Sequence, residues 1–105
     1  MRENKKTVKV LLKELVELLE ENYTSGIDKR ISDVYYLLSL YSLEIIPFER
    51  LRKDSFLVLK EWTASEAFGH NPFYIPKETP EETRMINEEY KEIMEKLRVE
   101  FEKIM

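Results

Sequence analysis

Apolar side chains recur along most of this chain at steps of three and four residues, the spacing that lines one face of a helix. Over 4–22 the repeating positions are Val8, Leu11, Leu12, Leu15, Val16, Leu18 and Leu19, with Lys9, Lys13, Glu14, Glu17, Glu20 and Glu21 between them. This is an amphipathic helix with one buried stripe. Turn formers follow in NYTSGID, 22–28. There Gly26 is suited to the positive φ of a helix C-cap, Asp28 to the N-cap of a second helix, and Ile27 to a hydrophobic staple.

The densest apolar stretch is 31–48, ISDVYYLLSLYSLEIIPF. It predicts a second helix over 28–46. At about 100° per residue, Ile31, Val34, Leu37, Leu38, Tyr41 and Ile45 fall within one arc of roughly 120° and form a seam for a neighbouring helix. Tyr35, Tyr36, Leu40, Leu43 and Ile46 lie outside that arc, so this helix is apolar on more than one side. A helix of that kind lies in the middle of a bundle or under a subunit interface. Pro47 removes an amide donor and restrains Ile46, so it ends or kinks the second helix or begins the third.

A third helical stripe runs through Leu51, Ser55, Val58, Leu59 and Trp62, predicting a helix over 47–68 with Gly69 and Pro72 as its stop. The run SFLVLKEW also alternates like a strand, and 55–62 is read as helix because no second strand candidate exists to pair with it. Segment 70–79, HNPFYIPKET, is non-periodic but too apolar to float in water, and predicts an irregular crossover packed on the bundle. Thr79, Pro80 and Glu82 then supply a cap, a first helical residue and a capping-box partner for a helix over 80–104. Its stripe is Ile86, Tyr90, Ile93, Leu97, Phe101 and Ile104. The fold class is therefore all-α: a compact four-helix bundle in one domain over 1–105, with a packed irregular crossover before the C-terminal helix.

Composition narrows the chemistry. The chain has 105 residues, 43% hydrophobic and 36% charged, which is a globular mix. Cysteine is absent, which removes disulfides, thiolate metal sites and cysteine nucleophiles. There is no long apolar run for a membrane span and no basic start leading into an apolar signal core, so a cytoplasmic protein without membrane contact is expected. Glutamine is also absent, and Glu and Lys carry most of the charge, a bias shared with thermophile proteins and with AT-rich genomes. Net charge is −4. Residues 1–13 hold five basic side chains against Glu3, whereas 80–105 hold five basic against eight acidic, so the two ends are expected to pair.

Three groups of residues are candidates for function. Carboxylates repeat at helical spacing in Glu14, Glu17, Glu20 and Glu21 and in Glu88, Glu89, Glu92 and Glu95, a pattern that can hold Mg²⁺. Such pairs occur in the all-α nucleotide pyrophosphohydrolases, whose pattern adds an E-x-x-D pair downstream. This chain lacks that pair, so its glutamates read as a solvated charged surface. A lone histidine gives a second group, Glu61, Glu66 and His70, which could form a facial metal site only with unusual loop geometry or with ligands from a second subunit. The third joins the tyrosines Tyr35, Tyr36, Tyr41, Tyr74 and Tyr90 to Arg2, Lys5, Lys6, Lys9, Arg50, Arg52 and Lys53, which could stack bases and grip phosphates if the two basic clusters share a surface.

No catalytic residue and no cofactor is expected from these patterns. The leading expectation is a non-enzymatic helical interaction or assembly protein, a homodimer or a small subunit of a larger complex. Its interface would be the leftover face Tyr35, Tyr36, Leu40, Leu43 and Ile46. A nucleic-acid-associated accessory protein is the alternative, and a metal-dependent enzyme is the weaker one.

Overall fold

The computed structural model describes the backbone of residues 2–67 and 74–103 and the side chains of 4–24, 26–62 and 74–103. Four helices account for most of it: α1 (Arg2–Glu21), α2 (Asp28–Tyr41), α3 (Phe48–Ala67) and α4 (Pro80–Glu102), with a 3₁₀ turn at Ser25–Ile27 leading into α2. Among the described residues there is no strand. The run 55–62 is helical and continuous with the rest of α3. Each helix packs on its neighbours in the order α1, α2, α3, α4 and back to α1, which makes a compact four-helix bundle with α3 diagonal to α1.

Neighbouring helices run antiparallel. The start of α1 meets the end of α4, where Asn4 Nδ2 donates to the Glu100 backbone oxygen at 3.1 Å and to its Oε2 at 2.7 Å. At the other end, Lys77 Nζ donates to Asn22 Oδ1 at 2.8 Å. Lys29 near the start of α2 pairs with Glu61 far along α3. The beginning of the chain thus lies against its C-terminal helix, through the neutral Asn4.

The core follows the α1 stripe closely. Val8, Leu12, Leu15 and Leu19 are fully buried, and Leu11, Val16 and Leu18 flank them with under a tenth of their surface exposed. All seven face the seams with α2 and α4, the two most extensive in the bundle. On α4 the fully buried members are Leu97 and Phe101, with Tyr90 almost so, while Ile86, Ile93 and Met94 pack at the edge. Ile104 lies outside the described residues.

The second helix departs from its expected form. It ends at Tyr41, five residues before Ile46, with the Ser42 N–H bonded to the Leu38 carbonyl at 3.0 Å and the Leu43 N–H to Leu40 at 3.2 Å. The physical reason lies in Glu44, which is seven residues after the fully buried Leu37. Continuing the helix would carry that carboxylate onto the core face. Instead the chain leaves the helix, and Lys5 Nζ donates to the exposed Leu43 carbonyl. Pro47 then supplies the acceptor that opens α3, receiving the N–H groups of Arg50 at 3.1 Å and Leu51 at 3.2 Å.

Shortening α2 also turns its buried face. The core set is Arg30, Val34, Leu37, Leu40 and Tyr41, because α2 must face both α1 and α3. Leu40, expected on the outer face, is 4% exposed and belongs to the core; Ile45, expected in the seam, is 93% exposed. Tyr41 is tied across to α3, its hydroxyl 2.5 Å from the buried Ser55 Oγ, and its ring lies 6.4 Å from that of Phe101. Burial pushes the Tyr41 phenol above its ordinary pKa, since the phenolate would lose its hydration.

Two caps differ in outcome. Thr79 is the N-cap of α4, its Oγ1 accepting the Glu82 N–H at 3.1 Å, with Pro80 in the first turn. Gly26, by contrast, sits inside the 3₁₀ turn without a positive φ, and Asp28 is the first residue of α2, not its cap. Ile27 takes the cap position and is buried. A buried apolar anchor, not a side-chain hydrogen bond, sets where α2 begins.

The described part of the crossover, 74–79, is exposed except at one buried anchor, Ile75. Ile75 is fully buried, and its backbone is clamped by Asn87 of α4: the Ile75 N–H donates to Asn87 Oδ1 and Asn87 Nδ2 donates to the Ile75 carbonyl, both at 2.8 Å. One amide side chain satisfies both polar groups of a buried residue that has no strand or helix to do so.

Candidate interaction surface

The expected interface residues do not share one face. Tyr35 and Tyr36 are consecutive on α2 and therefore point about 100° apart. The Tyr35 hydroxyl donates to Glu20 Oε1 of α1 at 2.8 Å, and that of Tyr36 to Asp54 Oδ2 of α3 at 3.0 Å. Each tyrosine lies over a different helix seam. The same hydrogen bond to the Glu20 carboxylate raises the Tyr35 phenol pKa, because the phenolate would have no proton to donate. With Leu40 in the core and Leu43 and Ile46 beyond the helix end, the leftover face divides.

A different apolar surface stands in its place. The α2–α3 connection presents Leu43 and Ile45, and α3 presents Phe48, Phe56 and Leu57, all of them exposed large side chains. Phe56 and Leu57 lie off the Leu51–Ser55–Trp62 line that faces the core, so a helical projection of the sequence alone separates them from the buried stripe. Cations border this surface. Arg50 pairs with Asp54 at 3.7 Å and Arg52 with Glu49 at 3.0 Å, within α3, while Lys53 and Lys60 flank Phe56 and Leu57.

The two basic clusters meet only in part. The Lys5 bond to Leu43 brings the start of α1 to the α2–α3 connection, which is the end of the bundle where Arg50 and Arg52 lie. Lys6 is exposed and Lys9 half-buried on α1. The side chain of Arg2 is outside the described set.

Of the candidate metal ligands, Glu61 alone lies among the described side chains. Glu61 is held in an ion pair with Lys29, whose other partner is Asp33 at 3.3 Å. His70 and the Glu66 side chain lie outside the described residues. Among the described residues, no group of three His, Cys, Asp or Glu side chains is placed to hold a metal ion.

The acidic repeats converge instead on an open groove of about 420 Å³ between α1 and α4. Leu18 and Ile93 line it together with Glu14, Glu17, Glu21, Glu89 and Glu92, and Lys96 is its one cation. Glu95 lies beyond it and pairs with Arg98, which holds the Glu95 carboxyl below its ordinary pKa.

One polar joint has no counterpart in the sequence reading. Arg30 is 8% exposed, donates from Nη1 to the Tyr90 hydroxyl at 2.9 Å, and stacks its guanidinium 4.9 Å from the centre of the Trp62 ring. Trp62 Nε1 in turn donates to Asp33 Oδ2 at 3.1 Å. These contacts bolt α2, α3 and α4 together inside the core. The signal available beforehand was spacing: Arg30 is four before Val34 and seven before Leu37, on the same helical line.

Comparison with protein-family models, with curated proteins and with solved structures returned no match to this chain. No helix among the described residues is long and apolar enough to cross a membrane.

Proposed function

We propose that this protein is a helical interaction or assembly protein, working as a homo-oligomer or as a small subunit of a larger complex. One observation carries the reading: Leu43 and Ile45 of the α2–α3 connection and Phe48, Phe56 and Leu57 of α3 stand exposed on a small bundle, with Ile45 93% in solvent. Water penalises such a surface, and a contiguous apolar patch with a charged rim is a common mark of a protein–protein contact. The expected interface shifts accordingly from the α2 tyrosines to the α2–α3 connection and the outer face of α3.

Sedimentation equilibrium tests this reading. A mass above the 12.7 kDa of one chain at high micromolar concentration supports it, together with its loss in the double variant Ile45→Asp/Phe56→Asp. A strict monomer that is indifferent to these substitutions overturns the homo-oligomer.

A second reading, an accessory protein touching nucleic acid, is favoured by the placement of Lys5 at the same end of the bundle as Arg50 and Arg52. Against it stand the net charge of −4 and the internal pairing of both arginines. Filter binding with RNA and DNA at low salt decides it: no retention at micromolar protein removes the reading.

A further inference from the structure

Resting on the reading of an interaction protein, we infer that α3 pairs with the α3 of a second copy of this chain in an antiparallel, two-fold contact centred on Leu57. Three outward positions carry it. Lys53, Leu57 and Glu61 follow one another at steps of four and so form a single row along the helix. Leu57 is 50% exposed, and Lys53 and Glu61 also stand in solvent.

The order of charges along the row identifies the partner. A cation, an apolar side chain and an anion at equal spacing become their own complement when the row is turned end to end. Lys53 of one copy then meets Glu61 of the other, Glu61 meets Lys53, and Leu57 lies on Leu57 at the axis. Helices that pack by their i±4 rows cross at about 50°, the commonest packing class, and this crossing lays two such rows side by side.

The charges are in a state to make these pairs. Among the described residues Lys53 has no ion pair or hydrogen bond within its own chain. Glu61 holds Lys29 through Oε1 alone, which leaves Oε2 to accept from a second cation while the first keeps the carboxylate in place. Beside the row, Tyr36 of α2 is 45% exposed and donates its hydroxyl to Asp54, one turn before Leu57, so it adds apolar surface next to the centre. Each copy uses the same row twice over, once for each end, and the contact is closed at two copies. A single helix crossing is small beside the roughly 800 Å² per partner of a stable dimer, so the dimer is weak and concentration-dependent.

Sedimentation velocity on the full chain tests the contact with Lys53→Glu, Glu61→Lys and the double exchange Lys53→Glu/Glu61→Lys. Lys29 keeps Asp33 as a partner in the Glu61 variants, and circular dichroism checks the fold of each. The wild type should reach a dimer at high micromolar concentration and stop there, and about 0.5 M salt should weaken it. Each single reversal sets like charges together at both ends of the row and should weaken self-association at least about tenfold. An equimolar mixture of the two single variants should regain a one-to-one dimer, and so should the double exchange alone, because both restore opposite charges across the axis. Lys53→Ala or Glu61→Ala replaces a reversal that fails to fold, with a smaller loss expected. Association that the single reversals leave unmoved, or that the double exchange does not recover, overturns the α3–α3 contact but leaves the interaction reading standing on the Ile45 and Phe48 patch. Growth past a dimer overturns the closed geometry, and a monomer at every salt and concentration overturns both self-association claims.

Discussion

Two helices of this protein, α1 and α3, are each twenty residues long and lie diagonally across the bundle, yet they use their apolar residues in opposite ways. In α1 seven hydrophobic side chains are buried in the core. Over its described side chains, 48–62, α3 buries Leu51 and Trp62 with the small Ser55, and leaves Phe48, Phe56 and Leu57 in solvent. Both flanks of α1 are closed by extensive seams, whereas α3 meets its neighbours along narrower ones. The difference separates a helix that organises the fold from one that contributes a few anchors and presents a surface.

The strongest way to break this contrast is at the α3 anchors. Trp62→Ala removes a side chain that is 2% exposed, stacks on Arg30 and bonds Asp33, and should cost about 3–5 kcal/mol in urea unfolding. Leu15→Ala in α1 should cost about 2–5 kcal/mol by the same measurement, because the site is closed on every side. If Trp62→Ala were nearly neutral, α3 would be a peripheral helix and the polar joint would not hold it.

Smaller effects sharpen the contrast. Thr79→Ala should lose about 1 kcal/mol by removing the cap at the start of α4, read as a lowered thermal midpoint. Phe56→Ser should change the unfolding free energy by no more than about 0.5 kcal/mol at low micromolar concentration, where the chain is not associated. A large loss there would mean that Phe56 is part of the fold rather than of a contact surface.

A pH experiment addresses the tie between α2 and α3. The buried Tyr41 phenol holds its proton to higher pH in the folded chain than the ordinary value of 10.0. Between those two values the unfolded chain is the one that has lost the proton, so stability is intact below pH 10 and falls as pH rises toward the folded pKa. Denaturant melts of wild type and Tyr41→Phe should therefore differ in slope above pH 10, with the variant declining less steeply.

Much of the architecture was legible in order along the chain. The α1 stripe, the Thr79–Pro80 start of α4 and the buried anchor of the crossover follow from spacing, cap chemistry and the apolar character of residues such as Ile75. The error over 28–46 came from reading apolar density as helix length. Glu44 already marked the stop, but its meaning depends on which face of α2 is buried, and that depends on where α1 and α3 lie. Arg30 was unreadable for a related reason. A guanidinium can sit in a core only where Tyr90 and Trp62 meet it, and those side chains are 60 and 32 residues away.

By itself the sequence determined that this chain is helical, that four helices alternate with three connections, and which residues of α1 and α4 turn inward. Those properties are local, set by residue spacing, proline geometry and capping groups within a few positions. Only the tertiary structure decided which side of α2 is buried, how the two tyrosines divide between α1 and α3, and which apolar side chains remain in solvent. Exposure is a property of neighbours: Leu40 and Ile45 are both aliphatic and five residues apart, and one is enclosed by other helices while the other is not.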